Sequence, residues 1–186
     1  MKKTIGLLGG SFNPAHHGHV HITLTALKCF NLDEIWWVMS PGNPLKEYYP
    51  EPMEKRIAEA KRIMCHPRVR ITDIESKLSS PYTACTLAYI TTSFPRNQFV
   101  WLMGADNLEQ IHKWKDWRSI LSKVPIGILA RPDNQLAPLK ARAARIYRSS
   151  RVPNWQSRTL ARSPAPRWCY AILPMSHLSS TKIRSA

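Results

Sequence analysis

A chain of 186 residues, 44% of them hydrophobic, can bury a core as one domain without disulfide or metal staples. Its apolar runs are too short for a membrane span, which excludes an integral membrane protein and points to a soluble globular one. The net charge of +15 is uneven: residues 1–93 hold 11 basic and 8 acidic side chains, residues 94–186 hold 16 and 4, and none is acidic after Asp133.

Met1-Lys2-Lys3 mimics the start of a signal peptide, but the apolar run behind it is broken by Gly9, Gly10 and Asn13-Pro14, too soon for a secretory core. Thr4–Leu8 instead reads as a buried strand. A helix is predicted from about His19 to Phe30, then a strand over Glu34–Ser40 and a Pro/Gly loop. Met53–Cys65 reads as a helix, Val69–Ile74 as a strand and Thr83–Ser93 as a helix. Gln98–Met103 is a fourth strand, leading through Gly104-Ala105-Asp106 into the segment Leu108–Leu121. Pro125–Ala130 is a fifth strand and Tyr170–Leu173 a sixth. Ala137–Ser149 is predicted to be a basic helix, followed by an Arg/Ser/Pro stretch expected to be a mobile or partly disordered loop. Alternating strands and helices imply an α/β fold: a Rossmann-like, doubly wound parallel sheet in three layers, α/β/α. Ligands in such sheets sit beyond the carboxyl ends of the strands. Gly9–His19, Ser40–Lys46, Gly104–Asn107 and Arg131-Pro132 all fall there.

The four cysteines are far apart and show no CxxC spacing, so they are read as reduced, mostly buried thiols of a cytoplasmic protein. The basic half is read as a surface around a site for anionic small molecules, with nucleic acid the less favoured partner. Homo-oligomerisation is left open.

The stretch GGSFNPAHHGHVHI, residues 9–22, carries the chemistry. Gly9 and Gly10 let backbone N–H groups approach a ligand, and Ser11 adds a hydroxyl. His16 and His19, three apart, share one side of a helix start near Gly18, where unpaired N–H groups favour anions. Together they suit a phosphate. A metal site is disfavoured, because no Asp, Glu or Cys accompanies the histidines and HxGH is not HExxH. Neither GxxxxGK[ST] nor GxGxxG is present. His17 and His21 are read as surface histidines. In GADN, Asp106 either accepts ribose hydroxyls or caps a helix.

GGSFNPAHHGH resembles the GG[ST]FDPxHxGH signature of the HIGH-type nucleotidyltransferases, and Ser179-Ser180-Thr181-Lys182-Ile183-Arg184 is similar to their [ST]SxxIR helix start. Between them WWVMSPGNPLK, SPYTACTL, WLMGADNL, KWKDW and ILARP are similar to the bacterial nicotinate-mononucleotide adenylyltransferases. The resemblance covers residues 4–132 and 170–184. Asn13 stands where the signature has Asp, and Cys85 where YTxDTL has Asp. The family continues with a further helix beyond the position of Arg184, where this sequence has two residues.

What the resemblance implies is a nucleotidyltransferase-type fold. The implied reaction is adenylyl transfer from ATP to nicotinate mononucleotide, giving nicotinate adenine dinucleotide and pyrophosphate in NAD biosynthesis, with Mg²⁺ carried by ATP. His19 would donate to the α-phosphate and His16 would support the polyphosphate. Gly9, Gly10, Ser11, Phe12 and Gly18 would line it, and Ser179, Ser180, Thr181 and Arg184 would hold the pyrophosphate portion, Arg184 as a third catalytic residue. Gly104 and Asp106 would address the adenosine ribose. Trp114 would stack on the nicotinate ring, and Thr83 and the backbone of Lys115 would bind its carboxylate. Lys46 and Arg131 are candidates for the mononucleotide phosphate. Trp117 is core or pocket wall. The alternatives are an adenylyltransferase for nicotinamide mononucleotide or phosphopantetheine, a truncated inactive relative, and a basic nucleic-acid-binding protein.

Overall fold

The computed structural model describes residues 2–42, 50–130 and 137–172. Lys46, Arg131, Ser179, Ser180, Thr181 and Arg184 lie outside the described residues. In chain order the elements are β1 (Thr4–Gly10), α1 (His17–Cys29), β2 (Glu34–Met39), α2 (Met53–Ile63), β3 (Val69–Thr72), a 3₁₀ turn (Ile74–Lys77), α3 (Thr83–Ser93), β4 (Gln98–Gly104), α4 (Ala105–Gln110), a 3₁₀ turn (Ile111–Lys113), α5 (Trp117–Lys123) and β5 (Ile126–Ala130). Then come a 3₁₀ turn (Ala137–Lys140), α6 (Arg142–Ile146), a 3₁₀ turn (Arg148–Ser150), β6 (Arg151–Val152), a 3₁₀ segment (Asn154–Arg162) and β7 (Trp168–Ile172).

The described strands form one parallel sheet in the order β3-β2-β1-β4-β5-β7-β6. Both faces are covered, which is why TIGLLGG, EIWWVM and QFVWLMG are near-continuous apolar runs. On one face Leu7, Trp36, Trp101 and Ile128 pack with Leu87 and Ile90 of α3 and Ile120 and Leu121 of α5. On the other, Trp37, Leu102 and Leu129 pack with Ala26 and Leu27 of α1 and Ala60 of α2. The three-layer, doubly wound α/β arrangement is the expected one. Among the described residues no helix is long and apolar enough to cross a membrane.

Three local expectations differ from the structure, and one segment given no element above takes shape. The segment Leu108–Leu121 holds the end of α4, a 3₁₀ turn and most of α5, and the chain breaks at Trp114-Lys115-Asp116, with Asp116 left-handed at φ 50. Aspartate tolerates that conformation better than most residues. The basic helix over Ala137–Ser149 shrinks to the five residues of α6 between two 3₁₀ turns. The Arg/Ser/Pro stretch supplies an edge strand and a 3₁₀ segment packed on the sheet. Its Ser157 and Leu160 share one buried side at 3₁₀ spacing, and the Ser157 hydroxyl donates to the Cys29 carbonyl at 2.9 Å, closing the end of α1. Finally, of the four free thiols only Cys169 is buried; Cys29 is half-buried, and Cys65 and Cys85 are exposed, because both fall on outward positions next to or within surface helices. Burial pushes the Cys169 thiol up to about 12.

One group of described cations gathers at one end of the sheet. Lys3, Arg68, Arg96, Lys123, Arg151 and Arg167 are exposed and each opens or immediately precedes a strand or its lead-in turn. They mark the amino end of the sheet, opposite the strand ends where sheets of this kind offer a ligand site.

Candidate functional site

The order of strands reverses at β1: β2 and β3 follow on one side, β4 and β5 on the other. A crevice at the carboxyl end of β1 and β4 is the place such a sheet offers a ligand. Gly9 and Gly10 close β1 there, and Gly104 closes the adjacent β4. A side chain is not tolerated at Gly9: a Cβ would lie 2.3 Å from Cη2 of the Trp101 indole, which fills that space from β4.

Beyond Gly10 the chain turns at Phe12, a non-glycine residue with φ 45. The ring of Phe12 is 2% exposed and stacks on Trp37, with centroids 4.6 Å apart and 15° between planes. Phe12 therefore offers the crevice its backbone and the core its side chain. Asn13 keeps the acceptor that an aspartate would have supplied: its Oδ1 receives the Glu51 N–H at 3.3 Å.

Helix α1 begins at His17, two residues earlier than expected, because its cap is made by imidazoles. His16 is the N-cap, with extended backbone, and its Nδ1 accepts the Gly18 N–H at 3.0 Å. The Nδ1 of His19 reaches back to accept the His16 N–H at 3.2 Å. This is a capping box with histidine at both positions where Ser/Thr and Glu/Gln are usual. A neutral imidazole that accepts at Nδ1 carries its proton on Nε2. Both rings, 3.9 Å apart between centroids, are therefore set as Nε2 donors at the helix start. His16 is 6% exposed and forms the floor, whereas His19 is half-buried. His19 is braced from behind: Phe12 lies 4.8 Å from it and Trp37 meets it edge-on at 5.9 Å. The Trp37 Nε1–H donates to Thr23 Oγ1 at 2.8 Å, and that hydroxyl donates to the His19 carbonyl at 2.7 Å. His17 is exposed, as a surface histidine should be, and His21 is half-buried.

On the β4 side Gly104 is the N-cap of α4, and the Asp106 carboxylate folds back over it, Oδ1 being 2.3 Å from where a Gly104 Cβ would stand. Asp106 is exposed in the first turn and makes no capping hydrogen bond. Thr83 is the first residue of α3 and half-buried. Trp114 packs partly buried against the core that α3 and α5 share, and Lys115 is exposed beside it. Trp117 is core: it is buried, meets Tyr147 edge-on at 6.0 Å and carries the Arg118 guanidinium 4.7 Å above its ring.

Two buried charges near these loops escaped the sequence reading. Arg56 of α2 is 2% exposed, and burial lowers its guanidinium from the usual value while Glu54 opposes that. It sits on the stripe Met53, Arg56, Ile57, Ala60, Met64, and a charge interrupting an apolar stripe is the signal that could have found it. Glu75 is 5% exposed and accepts the Thr86 hydroxyl at 3.0 Å, beside the first turn of α3. Burial pushes its carboxyl up to about 7, against the Thr86 hydrogen bond.

Residues 7–186 match a family model described as cytidylyltransferase-like. A "Probable nicotinate-nucleotide adenylyltransferase" of a Ruegeria species is 54% identical over 97% of this chain and 96% of its own length. One of the same name from Methylorubrum extorquens is 43% identical over 97% of this chain and 98% of its own length. A solved structure of Plasmodium falciparum nicotinic acid mononucleotide adenylyltransferase complexed with NaAD superposes with a TM-score of 0.75. It covers 98% of this chain and 83% of the other, and at 18% identity it speaks for the fold alone.

Proposed function

The chain belongs to the cytidylyltransferase-like family, and from that premise we infer that it transfers the adenylyl group of ATP to nicotinate mononucleotide. The products are nicotinate adenine dinucleotide and pyrophosphate, which makes it a nucleotidyltransferase of NAD biosynthesis. The observation that carries this reading is the histidine capping box at the carboxyl end of β1, which fixes two imidazoles as Nε2 donors beside glycine backbone.

The nucleophile is the phosphate of the mononucleotide, largely dianionic at pH 7 because its second pKa is about 6. An oxygen of that phosphate bonds to the α-phosphorus of ATP as the bond to the β-phosphate oxygen breaks, and pyrophosphate leaves. No general base is needed, so catalysis is positioning plus neutralisation of charge. His19 donates to the α-phosphate oxygens and His16 holds the helix start that carries it. The backbone of Gly9, Gly10 and Phe12, the Ser11 hydroxyl and Gly18 of the first turn of α1 line the polyphosphate. Ser179, Ser180, Thr181 and Arg184 take the β and γ phosphates, with Arg184 gripping bidentately. Asp106, which makes no capping bond, accepts the ribose hydroxyls, and Gly104 admits the sugar. Lys46 and Arg131 are the candidates to bind the mononucleotide phosphate. These site donors are N–H and O–H groups suited to phosphate oxygens rather than to a cation, so any Mg²⁺ would come bound to ATP and would supply charge neutralisation on its phosphates. The setting is cytoplasmic.

Nicotinate differs from nicotinamide by a carboxylate in place of an amide. A pocket made of the Thr83 hydroxyl and the Lys115 N–H, under the Trp114 ring, is rich in donors and mismatches an amide N–H₂. Pyrophosphate release with ATP in excess is expected to give kcat/KM for nicotinate mononucleotide at least roughly 10²-fold above that for nicotinamide mononucleotide, as polar mismatch allows. His19→Ala should lower the rate about 10²–10³-fold, the usual cost of one transition-state donor. Comparable efficiencies for the two substrates would overturn the assignment of this pocket.

A further inference from the structure

The Arg56 guanidinium joins three stretches of chain that the reaction needs in register. Its Nε donates to the Glu51 carbonyl at 2.7 Å, and its Nη1 donates to the carbonyls of Ser11 at 2.6 Å and Ser40 at 3.0 Å. These carbonyls stand at the exit of β1, the exit of β2 and the approach to α2. The salt bridges among the described residues join Lys3 to Glu34 and Lys55 to Glu51, so Arg56 is held by carbonyls and not by a carboxylate. Burying a cation without an anion is costly, and an apolar residue on the same stripe would pack without that cost. What an apolar residue lacks is the rigid fork of donors.

The fork acts on a strained turn. A trans peptide points its C=O and its N–H in opposite directions. With the Ser11 carbonyl on Arg56, the Phe12 N–H faces away from it. Phe12 itself is left-handed, and such a conformation persists in a bulky residue only where the surroundings over-determine it. Trp37 fixes its ring from one side, and Arg56 fixes its peptide from the other.

We propose that Arg56 is a positioning residue for adenylyl transfer: it sets the Ser11–Phe12 peptide so that the loop presents its N–H groups to the ATP polyphosphate, and its charge lies beneath that anion. The proposal rests on the reading of the site given above. In Arg56→Ala, kcat/KM for ATP falls roughly 10²-fold, the cost of a misplaced group, while KM for nicotinate mononucleotide moves less than about 2-fold. Arg56→Lys, which keeps the charge and loses the fork, falls between. Guanidinium added to the assay restores Arg56→Ala by at least about 5-fold and methylammonium does not, since only the former matches the planar donors. ATP affinity by calorimetry follows the same order and does not depend on the second substrate, so a wild type inactive with nicotinate mononucleotide leaves this arm decisive. Folded variants with wild-type ATP affinity, or equal losses for both substrates without guanidinium rescue, overturn the proposal. So does a failure of both variants to fold, which would make Arg56 a scaffold residue.

Discussion

Single side chains carry much of what the amino-acid sequence conceals here. Glu75 looks like any solvated charge in DIESK, since composition does not say which charge of a segment turns inward, and Arg56 is marked only by its place on the apolar stripe of α2. The histidines were legible as a pair at a helix start. That they cap the helix with their own Nδ1 atoms was not, because that depends on side-chain rotamers. Glu75 has a measurable consequence. Its carboxyl is held neutral up to about 7 in the fold, whereas a solvated glutamate ionises near 4.5. The folded state thus binds more protons between these values, and stability falls as pH rises through that window. Replacing Glu75 by Gln keeps an acceptor for the Thr86 hydroxyl and removes the charge. Glu75→Gln is expected to match wild type at pH 4.5 and to exceed it at pH 8, by up to about 3 kcal/mol. Denaturant titrations at the two pH values measure this; a gain that is independent of pH would mean that Glu75 ionises normally in the fold.

At the level of elements, strands of the parallel sheet could be read directly, because burial on both faces writes them as uninterrupted apolar runs. β6 could not: two residues joined only to β7 carry no local pattern and exist through a distant pairing, Arg151 with Trp168 and Val152 with Cys169. The 3₁₀ segment after it was missed for a related reason, since its spacing of three matches neither helix nor strand templates. β1 and β4 meet most tightly where Gly9 faces Trp101. Trp101 is 3% exposed, so its ring has nowhere to go. Gly9→Ala should therefore destabilise by about 1–3 kcal/mol, the range for overpacking a core. Trp101→Leu in the same chain should recover most of it, and a double-mutant cycle by urea unfolding reads the coupling. Additive losses would place the clash elsewhere.

At the scale of the molecule, one group of described cations lies far from the proposed site. The described cations named above collect where strands begin, and the loops proposed to hold phosphate lie where they end. Seven residues of β1 span roughly 23 Å, against a screening length of about 8–10 Å at physiological salt. Attraction of ATP by the amino-end arginines is therefore screened out. Arg96→Glu with Arg167→Glu should leave kcat/KM within about 2-fold at 0.15 M salt while weakening retention on a heparin column. A tenfold loss of activity would show that the amino end steers substrate after all. The parallel sheet has a second consequence, which concerns the ribosome. Among the described residues it has no hairpin, and β1 acquires its second neighbour only when Gln98–Gly104 has been made, since Thr4 pairs with Gln98. At about 5–20 residues per second, the nascent chain spends several seconds with its phosphate loop on an unpartnered edge. The first motif to be translated is thus among the last to be framed on both sides, and a growing chain cannot assemble its crevice before its middle has emerged.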